Sequence, residues 1–290
     1  MKEGIYTDPK NKVDIRPKIA NVIVTYVPDG QTEFVPVRST FDYDKYEHYY
    51  ENKLETIKFT LACHNHYKAG AEYDVIIVDN DSKDKTTLEY IDSLPYQTLH
   101  RENVGFSFGG YKLAWDTFGD KYDYYVFNEQ DGVPAKDGWL LELVNRFVSE
   151  GNIGVVGNNV ESHNLTSHYC KDVKHLANIE RDVIFNLDGF MSFTSSNILK
   201  QVEKNGGLKI IPVKGDVLAE YNELISQQPI LELGYKISAF NDGEHISYGG
   251  VSFLDQNPKF KDMSYDKISP MVLGHTRFYA LKNYFNWYHE

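Results

Sequence analysis

Short apolar runs alternate with longer stretches whose apolar positions recur at helical spacing. The runs are "IANVIVTYV" (19–27), "YDVIIVDN" (73–80), "YQTLHR" (96–101), "YDYYVFN" (122–128) and "IGVVGN" (153–158). Between them the periodicity predicts helices over about 44–69, 84–94, 108–118 and 137–149. Strands made of continuous β-branched and aromatic residues, separated by amphipathic helices, predict an α/β fold whose mostly parallel central sheet is covered on both faces. Beyond about residue 160 the pattern is less regular. It contains "VIFNLDGFMSFTSS" (183–196), helical stretches over 196–205 and 215–228, "GYKISAF" (234–240) and an aromatic, helical tail, "HTRFYALKNYFNWYHE". With no Pro- or Ser-rich linker, repeat or low-complexity segment, the expectation is one domain over 1–290, built from a half at 19–160 and a half at 161–290.

The polar residues that follow the strands are the first sign of chemistry. One strand pattern ends at Thr25 and Tyr26, a second at Asp79, Asn80, Asp81 and Ser82, and a third at Asn128, Glu129 and Asp131. Each group alone reads as a turn or a helix cap, and Ser82 and Asp84 suit capping. In open α/β sheets, however, ligands bind outside the carboxyl ends of the strands, so three such ends can converge on one crevice. Glu129 and Asp131, two positions apart at a strand end, can face the same way and offer hard oxygen donors. A further segment, "HRENVGFSFGGYKLAW", opens a helix with glycines at 105, 109 and 110. Its G-x-x-x-G-G spacing after the third strand is not the dinucleotide fingerprint, which excludes a Rossmann dehydrogenase. It still offers backbone N–H groups at a helix start, where an anion can sit.

Composition narrows the field. The chain has 290 residues, 41% of them hydrophobic and 25% charged, enough for a well-buried core. A net charge of -12 disfavours nucleic acid as a partner. Cys63 and Cys170 are too few for a disulfide framework, so both are expected in the core and a reducing compartment is the default. The start has no apolar leader and no run of 18 apolar residues follows, so neither a signal peptide nor a transmembrane segment is expected and the location is read as cytoplasmic.

Taken in order and spacing, "VIVTY", "VIIVDNDSKDKT", "RENVGFSFGG" and "YDYYVFNEQDGVPAKDGWL" resemble the family 2 glycosyltransferases, nucleotide-sugar enzymes of the GT-A fold, and within them the rhamnosyltransferase-like branch. The match covers about 19–160. A looser likeness continues through "LDGFMSFTSSNILKQVEKNGGL", "LGYKISAFNDGEHISYGG" and the aromatic tail.

The resemblance implies roles for particular residues. Asp79 would accept a hydrogen bond from a uracil or thymine ring N–H, with Thr25 and Tyr26 flanking that base. Arg101, Asn103 and Gly105 would line the ribose or diphosphate. Asp131 would ligate Mn2+ or Mg2+, while the usual first Asp is replaced within "NEQD" by Asn128 or Glu129, and Glu129 would bind metal or contact the ribose. His245 resembles a further metal ligand. An inverting transfer needs a general base, and the family places it on the helix before "GYK", where this chain offers Asp216, Glu220 and Glu223; counting back from Gly234 favours Glu223 and counting forward from Gly207 favours Asp216. Trp139, beside the acidic turn, is a candidate sugar contact through its ring face.

The resulting expectation is an inverting, metal-dependent transferase that moves a sugar, rhamnose or another hexose, from a UDP- or dTDP-sugar to a saccharide acceptor, with self-association through the aromatic tail. The alternative is a catalytically degenerate glycan-binding or scaffold module. A sugar-nucleotide pyrophosphorylase is disfavoured, because "TYVPDGQTEF" is not the glycine-rich basic loop its chemistry needs.

Overall fold

The computed structural model describes residues 16–28, 35–36, 50–51, 53–134, 136–149, 151–157, 160–166, 171–187, 191–212, 219–239 and 273–275. The first half contains β1 (Ile19–Thr25), the paired β2 (Val35–Pro36) and β3 (Tyr50–Glu51), α1 (Lys53–His66), β4 (Asp74–Asp79), α2 (Lys85–Ser93), β5 (Gln97–His100), α3 (Phe106–Phe118), β6 (Tyr124–Glu129), β7 (Gly132–Pro134), α4 (Trp139–Ser149) and β8 (Ile153–Gly157). The second half adds β9 (Val160–Asn164), α5 (Lys171–Leu176), β10 (Val183–Leu187), β11 (Met191–Ser195), α6 (Ser196–Lys204), α7 (Ala219–Ser226), α8 (Gln228–Glu232), β12 (Lys236–Ala239) and β13 (Leu273–His275).

Seven strands form the central sheet in the order β12-β8-β11-β6-β1-β4-β5. β1 runs parallel to both neighbours, β4 and β6, and β11 alone runs against β6 and β8. The α/β expectation, a mostly parallel sheet flanked by helices, is therefore what the chain builds. Every residue of β1 is buried, as the middle of a sheet covered on both faces requires. Its alternate side chains divide between the faces. Ile23 joins Ile57, Leu61, Ile77 and Ile91 beneath α1 and α2. Ala20, Val22 and Val24 join Phe108, Tyr111 and Trp115 beneath α3.

Of the two caps the sequence offered, Asp84 caps α2 while Ser82 accepts instead from Val27 N at 2.9 Å, and Ser195 caps α6. Asp84 accepts from Thr87 N at 2.7 Å and Ser195 from Ile198 N at 3.3 Å. Three expectations change. The helix expected over about 44–69 is described as starting at Lys53 and ending at His66, and Tyr50 and Glu51 within that span pair with β2 as β3. The single stretch 183–196 is two strands in different sheets, since β10 pairs antiparallel with β9 while β11 enters the main sheet. The helix expected over 215–228 is described as α7, then α8, because Pro229 has no N–H to continue α7 and instead starts the next turn. The predicted helical tail lies outside the described residues except for His275, which ends β13. Among the described residues no helix is long and apolar enough to cross a membrane.

The glycines of the G-x-x-x-G-G segment are explained by close approach. Gly105 precedes α3 at φ 78°, and a Cβ there would lie 2.5 Å from Ile210 Cγ2. A Cβ on Gly110 would lie 2.7 Å from Val24 Cγ2, on a β-branched side chain fixed within the sheet. Replacing a helical Gly by Ala ordinarily stabilises by about 1 kcal/mol. Gly110→Ala is expected to reverse that sign and destabilise by about 1–3 kcal/mol, because α3 must lift from β1. Urea denaturation of the variant beside wild type measures it.

Candidate functional site

The sheet changes direction of winding between β1 and β6. β1, β4 and β5 follow one another outward, then the chain returns to place β6 on the other side of β1. A crevice at the carboxyl edge is the geometric consequence. A cavity of about 270 Å³ lies there. Of its lining residues, Val24 and Thr25 end β1 and Tyr26 follows it, Asn80 follows β4, and Glu129 ends β6 with Gln130 and Asp131 in the turn after it. Asn103 and residues Phe106 to Phe108, at the entrance to α3, form a second wall, and Glu223 of α7 closes the cleft from the other half.

Strand register accounts for this convergence. Thr25 is paired with Asp79, and Val24 with Glu129, so three strands end level with one another. The chain then turns at Gln130 and Asp131 before β7. Thr25 is fully buried, and its hydroxyl oxygen has no hydrogen-bond partner among the described residues. The carboxylates act together on one buried group. Burial first, then Glu129, Asp131 and Glu223, push the Tyr111 phenol well above its ordinary pKa, so it stays protonated.

Beneath the acidic turn lies a polar cluster. His64 is buried, and burial holds its pKa down to about 3, leaving the ring neutral. The amide nitrogens of Asn21 and Asn128 lie 3.4 and 3.3 Å from its Nε2. Trp139 packs edge-on against it at 5.2 Å.

The structure brings some expected residues together and separates others. Thr25, Tyr26, Asn103, Glu129, Asp131 and Glu223 all line the cleft. Asp79 does not line it. Its Oδ1 accepts from Ser82 N at 3.3 Å and its Oδ2 lies 3.3 Å from His100 Nδ1, so it organises the end of β4 while the next residue, Asn80, faces the cavity. Arg101 is likewise turned into its own loop. Its guanidinium donates to the Asn80 side chain, to Val104 O at 2.6 Å and to Phe106 O at 3.5 Å, and Asn80 in turn donates to Asn103 at 2.8 Å. It shapes the cleft wall but does not offer its charge to a ligand. Gly105 stands just outside the lining and sets the turn into α3. Trp139 has none of its surface exposed and belongs to the core, so it presents no face to a sugar in the cleft. Asp216 and His245 lie outside the described residues, and of Glu220 only the backbone is described, within α7.

Sequence reasoning counted Asn80 among the polar strand ends without giving it a role, and it passed over Gln130 and Ser107 as cleft residues. Gln130 had a weak signal, since it sits between two acidic residues, yet strand alternation points it away from them. The turn removes that alternation and lets its side chain reach back to β1. Among the described residues, no group of three or more His, Cys, Asp or Glu side chains is arranged to hold a metal ion. Two carboxylates with open neighbouring space suit a small hard cation that draws its remaining ligands from phosphate and water. The one described thiol, Cys63, is buried with its pKa raised, and it does not line the cleft.

Comparison with known proteins adds the following. The family model described as "Glycosyl transferase family 2" matches residues 49–202. No curated protein matches the chain. Among solved structures, a mannosyltransferase from Pyrobaculum calidifontis in complex with GDP-Man and Mn2+ is similar over 78% of this chain and 55% of its own, at 15% identity and a TM-score of 0.45. Glucosyl-3-phosphoglycerate synthase from Mycobacterium tuberculosis, in complex with Mn2+, UDP and phosphoglyceric acid, is similar over 77% of this chain and 68% of its own, at 14% identity and 0.41. A cytidylyltransferase from Leptospira borgpetersenii is similar over 80% and 79%, at 11% and 0.41. This chain thus spans little more than half the length of the mannosyltransferase.

Neutral, buried His64 makes stability pH-dependent in a defined direction. The unfolded chain takes up a proton near pH 6.5 that the folded chain refuses down to about 3, so stability is complete above 6.5 and falls as the pH drops below it. The expected contribution is about 1.4 kcal/mol per pH unit through that window. Urea denaturation between about pH 7 and about pH 5 should show this slope in wild type and its absence in His64→Gln, the difference isolating this group.

Proposed function

The chain belongs to glycosyl transferase family 2, and on that premise we propose that it is an inverting, metal-dependent glycosyltransferase. The observation that carries this reading is the convergence of Glu129, Asp131 and Glu223 from opposite halves of the chain on one cleft at the turning point of the sheet. Glu129 and Asp131 would hold Mn2+ or Mg2+. The cation would supply charge neutralisation for the diphosphate as the bond to the sugar breaks.

The chain's own residues divide the remaining work. Thr25 and Tyr26, at the end of β1, would flank the base of a UDP- or dTDP-sugar. The start of α3, where Ser107 and Phe108 face the cavity, would lie along the diphosphate with its backbone N–H groups. Glu223 would accept the proton of the acceptor hydroxyl while that oxygen forms its bond to the anomeric carbon and the carbon–phosphate oxygen bond breaks, its electron pair leaving with the diphosphate. The sugar is proposed to be rhamnose or another hexose and the acceptor a saccharide, on the order and spacing of the sequence motifs, in a cytoplasmic setting.

Melting-temperature shifts with UDP, dTDP and GDP, each with and without Mn2+, test nucleotide binding, since a ligand of the folded state alone raises the transition. A shift with UDP or dTDP that grows with Mn2+ is expected, and Asp131→Asn should remove the Mn2+ increment. Glu223→Gln should keep the shift while lowering turnover of a competent donor by about 10²–10⁴-fold. A protein that binds glycans but gives no shift with any nucleotide would be the scaffold module instead.

A further inference from the structure

The acidic turn is held from outside the cleft. Thr60, in the middle of α1, is fully buried and does not line the cavity. A helical threonine commonly turns its hydroxyl to the carbonyl one turn earlier. Here the hydroxyl donates instead to the backbone carbonyl of Gln130 at 2.5 Å. That carbonyl belongs to the peptide joining Gln130 to Asp131, so its direction fixes the plane from which the Asp131 side chain departs. Two further bonds hold the same turn. The Gln130 side-chain oxygen accepts from Tyr26 N at 2.8 Å, and the Asn128 side chain donates to Gly132 O at 3.0 Å. The turn is thus tied to a helix, to the neighbouring strand and to its own strand.

From this geometry we propose that Thr60 is a positioning residue that presets the 129–132 turn so that Glu129 and Asp131 meet a divalent cation without rearrangement. The proposal rests on the cation-binding reading of the cleft given above. Preorganisation is what gives such a bond its effect. Two carboxylates whose backbone is already fixed lose little freedom when they bind, whereas a peptide free to rotate must be ordered first. Gln130 has a second consequence, because its side chain connects the cation turn to Tyr26, the residue proposed to flank the base. Cation and nucleotide should therefore favour one another's binding through it.

Thr60→Val keeps the shape and removes the donor, and Thr60→Ser restores it. Mn2+ affinity, read by titrating Mn2+ in the presence of UDP, should weaken by about tenfold or more in Thr60→Val and return towards wild type in Thr60→Ser, as for other partners that orient a ligand without touching the metal. UDP affinity without Mn2+ should stay the same in all three. Unchanged Mn2+ affinity in a folded Thr60→Val would overturn the proposal, whatever its melting temperature. If Thr60→Val does not fold, amide exchange in wild type decides: the Tyr26 amide should be protected before any ligand is added, and protection that arises only with Mn2+ and UDP overturns the preset turn. If wild type binds neither Mn2+ nor UDP, it is the function reading that fails, which a loss confined to Thr60→Val cannot mimic.

Discussion

Parallel pairing of β1 with both β4 and β6 governs where chemistry can occur in this molecule. Register in a parallel pair leaves no freedom once the apolar residues are buried, since a slip of one residue would turn every side chain to the opposite face. β1 is buried throughout, so its ladder places Thr25 level with Asp79 and Val24 level with Glu129. The cleft is a consequence of that alignment together with the reversal of winding beside β1. α7 then brings Glu223 across from the second half, and α3 packs against β1 closely enough that Gly110 has no room for a Cβ.

A buried polar layer lies under this edge. Asn21, His64, Asn128 and Thr60 are each nearly or wholly inaccessible, and they occupy the face of the sheet covered by α1. Burying such groups is costly unless they bond to one another, and in a low-dielectric interior those bonds are also directional and stiff. Here they end on the backbone of the acidic turn, at the carbonyls of Gln130 and Gly132. The same physical arrangement that makes His64 refuse a proton also gives the turn a fixed foundation. Arg101 does comparable work on the opposite wall, where its guanidinium holds Asn80 and the loop into α3.

Much of the fold was legible from hydrophobic periodicity. β4, α2, α3, β6, α4 and β8 fall within a few residues of their expected positions because each has an unbroken apolar run or a clear helical stripe, and β5, with only Leu99 apolar, falls where expected between two helices. Where the pattern is weaker, expectation and structure part. The 183–196 stretch reads as one apolar segment, and only the pairing partners of β10 and β11 show that it serves two sheets. In the candidate site, acidic residues at strand ends were visible as a set, and Glu129, Asp131 and Glu223 do share a cavity. Side-chain direction was not visible. Asp79 and Asn80 are adjacent, and which of them faces the cleft depends on Ser82 and His100 capturing the carboxylate.

The sequence by itself determined the alternation of strands and helices, the acidic strand ends and the glycines that admit close packing, since each is a local consequence of residue type and spacing. Tertiary structure alone decided that Trp139 is core, that Arg101 serves its own loop, and that Thr60 reaches Gln130 across 70 positions of chain. The physical reason is that burial and hydrogen-bond partnership are relations between distant residues, and no local pattern encodes which partner a polar group will find.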